Sequence, residues 1–208
     1  MQQGKEDFFM NNKQDSKQTV RKSTGIAIFG NIKVMVCAAL LAAISIVLGK
    51  YLAVNPTIFI RISFENLPIL MAGMFFGPVI GGVVGAAADL IGCFMVGYSI
   101  NPIITLGAAL IGVISGIVSK FAFKNRDGWR GTWRIFIPVM SAHAISSMCV
   151  KSIGMAIYYG TPVETLLWRI PLYIVVGTVE GYIIMLLFRN KNFSGLLAKI
   201  LSKKKVQK

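Results

Sequence analysis

Charge is scarce in this sequence. Asp, Glu, Lys and Arg make up 14% of its 208 residues, while 55% are hydrophobic. A soluble domain of this length carries about 25% charged residues, so water is excluded as the solvent for most of the folded surface. Acids are rarer still, eight against twenty-two Lys and Arg. Histidine occurs once, at His143, and cysteine three times, at Cys37, Cys93 and Cys149. All three cysteines lie inside apolar runs and none forms a CxxC, which argues against a structural disulfide or a zinc site and for buried thiols acting as small apolar groups. No HExxH spacing, Walker loop or nucleophile motif accompanies His143, so no catalytic constellation and no cofactor site is legible. The ten-residue alternation of a transmembrane barrel strand is also missing. The first twenty-five residues are polar, and the first apolar run begins too late for a cleavable signal peptide.

What the chain has is long apolar runs. A spanning helix needs about 20 apolar residues, because each residue rises about 1.5 Å and the hydrocarbon core is about 30 Å thick. The runs predict an all-α integral membrane protein of six helices: Ile32 to Lys50, Asn66 to Phe76, Val79 to Val96, Ile103 to Phe123, Arg134 to Tyr158 and Glu164 to Phe188. Gly77-Pro78, Asn101-Pro102 and Gly160-Thr-Pro162 supply turn signals between them. Residues 1–31 read as a disordered basic cytoplasmic tail, 32–190 as the membrane domain and 191–208 as a second basic cytoplasmic tail.

The net charge of +14 would suggest a nucleic-acid partner in a soluble protein. Here eighteen of the twenty-two basic residues fall in three clusters: the tail through Lys33, Lys120 to Arg134, and the chain after Phe188. An even number of crossings puts all three on one side, as the positive-inside rule requires, so no nucleic-acid partner is expected and both termini are placed in the cytoplasm. Trp129 and Trp133 fit an interfacial belt beside the middle cluster.

Four basic residues remain: Lys50, Arg61, Lys151 and Arg169. In this topology all four lie in the outer half. Ionisable groups in a span cost about 2.5–3.5 kcal/mol each on insertion scales, so they call for a reason. Snorkelling to the headgroups suits Lys50, fits Arg169 partly and suits Lys151 poorly, since Lys151 lies roughly 12 Å below the outer end of its helix. An anionic ligand entering from outside would account for them. Asp89 and Glu180 lie deep in their helices and could pair with Lys151 or Arg169, or could accept ligand N–H groups. Small residues recur at helix-packing spacing, at Gly73/Gly77, Gly81/Gly85, Gly112/Gly116 and Gly177/Gly181. The first helix carries a stripe of Ala38, Ala42, Ser45 and Gly49 beside Ala39 and Ala43, suited either to internal packing or to docking on another membrane protein.

The run Arg61 to Ile69 (RISFENLPI), followed by Ala72 to Pro78 (AGMFFGP), Gly85 to Gly92 (GAAADLIG) and Asn101 to Leu106 (NPIITL), resembles the substrate-binding S components of energy-coupling-factor (ECF) transporters, and among them the folate family. The resemblance covers residues 32–190. It implies a six-helix S component of a bacterial plasma membrane that is not itself an enzyme. It also implies an outer pocket under the loops and a docking face of AxxxA type, matched by Ala38/Ala42 and Ala39/Ala43. The implied partners are a transmembrane coupling subunit and two cytoplasmic ATPase subunits. If the ligand is folate, outer Arg61, Lys151 and Arg169 would bind its carboxylates. Phe64, Tyr98, Trp168 and Tyr173 would stack on its rings, and Asp89 or Asn101 would read the pterin edge. The alternatives are the same architecture with another vitamin or precursor, an intramembrane enzyme centred on His143, Asp89 and Glu180, and a scaffold with no ligand of its own.

Overall fold

The computed structural model describes residues 32–54, 62–122 and 132–201. Helices account for nearly all of them. Among the described residues the one extended pairing is an antiparallel bridge between Val54 and Ile62, closed by two backbone hydrogen bonds of 2.9 and 2.8 Å.

Helix α1, Ile32–Ile46, continues through a π-helical turn, Val47–Tyr51. Helix α2 is Asn66–Phe76, α3 Pro78–Val96 and α4 Pro102–Ala122. The next span is composite: α5 Thr132–Ala142, a π-helical stretch His143–Val150, and α6 Lys151–Tyr159. A short α7, Val163–Leu167, leads into α8, Arg169–Arg189, and the chain then forms α9, Lys191–Leu201.

Among the described residues, five helical stretches are long and apolar enough to cross a membrane: Ile32–Tyr51, Pro78–Val96, Pro102–Phe121, Arg134–Tyr159 and Glu164–Arg189. Helix α2, the shortest of the six helices expected, is not among them. Its 11 residues rise about 16 Å, roughly half the hydrocarbon thickness. It is instead an interior helix, with every residue from Pro68 to Met74 buried. Lipid touches little of it, so its length is set by its neighbours.

Glycine makes that burial possible. Gly77 ends α2 at φ +98°, a conformation that side chains with a Cβ rarely adopt, and Pro78 opens α3 at once. The chain therefore folds straight back on itself. Gly81 of α3 and Gly112 of α4 then meet backbone to backbone; a Cβ on Gly112 would land on the Gly81 carbonyl, and one on Gly85 on the Ala108 carbonyl. Ser115 fits the same seam, its hydroxyl donating to the Gly112 carbonyl at 3.1 Å. Helices α2, α3 and α4 thus form a tight three-helix body.

The composite span is built differently. Pro138 lies inside α5, has no N–H to donate and crowds the preceding turn, which bends a helix. The π-helical register begins five residues later and widens the helix where His143 and its neighbours sit. Helix α9 was not expected, because 191–208 reads as a tail. Its Phe193, Leu197 and Ile200 pack against the bundle, and Phe193 closes an aromatic cluster with Phe75 and Phe188 at centroid distances of 5.8 and 6.5 Å. The apolar i, i+4, i+7 spacing is what holds it there.

The alternating helices place the start of α2, the start of α4, the end of α6 and the stretches 51–54, 62–65, 97–101 and 160–162 at one end, opposite the described ends of the chain. That end is called distal below.

Candidate functional site

Polar side chains gather in two groups, one at the distal end and one running from that end into the middle of the bundle. The first lies where α1 to α4 converge. A narrow cleft there is lined by Ser45 and Lys50 from α1 and its π turn, Glu65 and Ile69 at α2, Ala88 and Asp89 from α3, and Ala108 from α4. Asp89 accepts a 2.7 Å hydrogen bond from the Thr105 hydroxyl. Lys50 Nζ lies 3.5 Å from Cys93 Sγ and 5.5 Å from the ring centre of Tyr98. Gly92 makes room for the Lys50 stem, whose Cε a Cβ there would touch. Lys151 reaches in from α6 and is almost wholly buried. It donates to Glu65 Oε1 at 3.2 Å and to Asn66 Oδ1 at 3.3 Å. Ser45 donates to the Glu65 carbonyl at 2.6 Å and fixes the turn that presents Glu65.

The second group lies between the composite span and α8. Arg169 stacks 5.3 Å from the ring centre of Tyr173 and donates to its hydroxyl at 3.0 Å; its other nitrogen touches the Met155 thioether. Tyr173 stacks on His143, with centroids 5.6 Å apart and planes 28° apart. His143 is fully buried, with Nε2 2.7 Å from Glu180 Oε2 and Nδ1 3.2 Å from Ser147 Oγ. Gly177 admits the imidazole, since a Cβ there would lie 3.1 Å from His143 Cδ2.

These contacts sort the expected site residues. Lys151 pairs with Glu65 and donates to Asn66, so a carboxylate within the fold already offsets its charge. Lys50 and Arg169 are different: among the described residues neither is ion-paired, and each rests on a tyrosine ring and a sulfur atom. A ring face offsets a cation weakly, by about 0.5–1 kcal/mol where water reaches it. Asp89 lines the cleft, and Tyr98 lies beside Lys50. Asn101 has its side chain bonded within the fold. Its Oδ1 accepts from the N–H groups of Ile103 and Ile104 and its Nδ2 donates to the Gly154 carbonyl, so it caps α4 and ties it to α6. Trp168 is 68% exposed, outside either group. Tyr173 is reserved for Arg169 and His143. Phe64 is half-buried just before α2. Arg61 lies outside the described residues.

The acid pairings also differ from expectation. Glu180 joins His143 and not Lys151 or Arg169, and Lys151 takes Glu65. Glu65 and Lys50 are the cleft residues that sequence reasoning underweighted. Glu65 lies within the RISFENLPI run, and that placement was the available signal.

Ser147, His143 and Glu180 stand in the order of a hydrolase triad, but all three are buried and the described clefts are lined by other residues. A nucleophile sealed from substrate does no chemistry. Asp89 belongs to the other group, so the three residues of the intramembrane-enzyme alternative do not converge. Among the described residues no set of three metal-ligating side chains comes together.

On the flank of the bundle, Ala38, Ala39 and Ala42 of α1 line an almost wholly apolar groove with Ile80, Val83, Val84 and Ala87 of α3. Ala43 is exposed and stands outside it.

A model of the family described as the substrate-specific component of ECF transporters matches residues 33–195. Among curated proteins, the folate transporter FolT of Clostridium novyi (strain NT) is 29% identical over 136 residues, covering 65% of this chain and 75% of that protein. An uncharacterized protein of Mycoplasma pneumoniae is 30% identical over 128 residues, 62% of this chain and 44% of that longer protein. Among solved structures, FolT bound with folic acid superposes with a TM-score of 0.58 at 23% identity, over 73% of this chain and 89% of that one. The S component of a bacterial ECF transporter gives 0.57 at 23% identity, over 82% and 98%. At that identity the structures share the fold.

Proposed function

This chain belongs to the family of substrate-specific (S) components of ECF transporters, and from that premise we propose that it captures folate, or a related pterin with a glutamyl tail, at the distal end of its bundle. One observation carries the reading: Lys50 and Arg169 are held at that end without a carboxylate partner among the described residues. Folate brings two carboxylates. Ion-pairing them is worth about 1.5–3 kcal/mol per charged hydrogen bond, where an uncharged vitamin would leave both cations as they are. Asp89, with one oxygen facing Thr105 and the other near Cys93, is the acceptor available to a pterin N–H edge. The likeness to FolT of Clostridium novyi supports the same ligand.

The distal end then faces outward, both termini are cytoplasmic and α2 supplies the sixth helix of the bundle. The basic clusters support that orientation. The α1/α3 groove is the docking face for a transmembrane coupling subunit, with ATP hydrolysed on separate subunits. Small side chains there let a partner helix approach closely. Replacing Ala38 and Ala42 together by Trp fills the groove, and uptake by the reconstituted complex is expected to stop while ligand binding stays within about twofold.

Calorimetry on the purified protein tests the ligand. Saturable one-to-one binding of folate or a reduced folate is expected. Folded protein that binds none of them removes the reading, and a thermal-shift screen in which a different vitamin stabilises most would establish the second reading, the same architecture with another ligand.

A further inference from the structure

The buried pair His143–Glu180 has no place in the cleft, yet the fold goes to some length to hold it. Gly177 in α8 and a π-helical stretch that begins at His143 itself, five residues after Pro138, admit the ring. Two apolar side chains would fill the same seam without the desolvation cost of a polar pair, and such replacements are often neutral or stabilising. Packing alone therefore does not account for the pair.

Its geometry suggests what does. An imidazole anchored at both nitrogens, on Glu180 at 2.7 Å and on Ser147 at 3.2 Å, has a fixed plane. That plane is handed on to Tyr173, stacked at 28°. Tyr173 in turn holds Arg169 by its face and by its hydroxyl. The chain Glu180, His143, Tyr173, Arg169 leads from the fully buried interior to the distal end. Tyr173, Gly177 and Glu180 share one face of α8, at i, i+4 and i+7, so one helix carries three of the chain's contacts. Without the anchors the ring is free to rotate, and the guanidinium loses its defined direction.

We propose that His143 and Glu180 are positioning residues for ligand capture: through Tyr173 they aim the Arg169 guanidinium, which has no carboxylate partner among the described residues, at a carboxylate of the ligand. The inference rests on the reading of the distal end as an anion-binding site. It assigns a function to a buried pair that does not touch the ligand. It also makes Arg169 the element through which the pair acts.

A double-mutant cycle on the full-length protein tests it. The pair is replaced by His143→Leu/Glu180→Leu, in the natural background and with Arg169→Ala, and Kd for folate is measured by calorimetry. In the natural background Kd is expected to rise about tenfold; with Arg169 already removed, the same replacement changes it by less than about twofold. Glu180→Gln, which keeps a hydrogen bond to His143, is expected to stay within about threefold of the natural protein. Equal losses in both backgrounds, or no loss in the natural one, overturn the proposal. Should the Leu pair fail to give folded protein, His143→Gln serves in its place. It keeps a hydrogen bond but no flat ring, and a Kd unchanged from the natural protein refutes the idea equally. If the natural protein binds no folate at all, the fault lies in the proposed ligand. Additive losses on a protein that does bind it fault the positioning chain alone.

Discussion

The body formed by α2, α3 and α4 and the body formed by the composite span and α8 are held together by opposite means. In the first, backbones touch. Gly81 and Gly112 leave no space between helices, and the buried side chains are almost all apolar. In the second, glycines of α8 receive side chains, Gly177 that of His143 and Gly181 that of Phe136, and polar contacts run through the seam, with Glu180, His143 and Ser147 all buried. The first body is intolerant of added volume and the second of a lost partner. The polar cleft and Arg169 both lie at the distal end, where the two bodies meet through Lys151 and Glu65.

The largest effect is expected from adding volume to the first body. Gly112→Val drives a branched side chain into the Gly81 carbonyl, and overpacking of this kind costs about 3 kcal/mol or more when backbone must move. Solubilised Gly112→Val should show a large loss of thermal stability or fail to purify as a single species. A variant with the melting temperature of the natural protein would mean that the seam is slack.

The contact between the two bodies comes next. Glu65→Ala strands the buried Lys151 ammonium, leaving Asn66 as its partner. Breaking a buried pair costs about 3–5 kcal/mol; with Glu65 about a quarter exposed, a loss of about 2–3 kcal/mol is expected. Glu65→Leu combined with Lys151→Met removes both charges and should recover most of that stability in a chemical or thermal melt. A double variant no better than Glu65→Ala would show that the ion pair is not what the single change destroys.

The helices were legible in the sequence because their signals are local. Asn66–Phe76 is bounded by an amide and a Gly-Pro turn, and both predicted ends hold. The α2–α3 reversal and the glycine seam were visible as spacing. What was not legible is which charge meets which. Lys151 finds Glu65 across 86 positions, a choice fixed by how two helices rotate about their axes, and a helical period alone leaves that angle open. The same rotation drew Glu180 to His143, whereas the capping role of Asn101, just before Pro102, is local. Helix α9 was hidden for another reason. Its three apolar contacts sit among lysines with a serine and a glycine, so composition reads as a tail although the spacing of Phe193, Leu197 and Ile200 was there to be read.

A smaller effect, confined to binding, is expected at Arg169, which has no ion pair among the described residues. Arg169→Ala leaves the tyrosine stack on His143 and should shift the melting temperature little. It should raise Kd for folate about tenfold or more, the loss of about 1.5 kcal/mol or more for a charged hydrogen bond. Calorimetry reads both the size and the direction. An unchanged Kd would leave Lys50 as the sole candidate anion partner among the described cations.

The smallest effect separates nearness in sequence from nearness in space. Trp168 adjoins Arg169 and was an equal candidate for stacking on the ligand, but its side chain is 68% exposed and contributes to neither polar group. A helix turns about 100° per residue, so consecutive side chains point in different directions and only one of this pair can face the α8 contact with His143. Tyr173, four positions on from Arg169, lies on the same face and takes that place. Trp168→Ala is therefore expected to leave Kd within about twofold and stability within about 0.5 kcal/mol. A tenfold loss of affinity at Trp168 would mean that the indole swings over the distal end once ligand arrives. Tyr173, in that case, would not be the only ring on which the outer end of α8 depends.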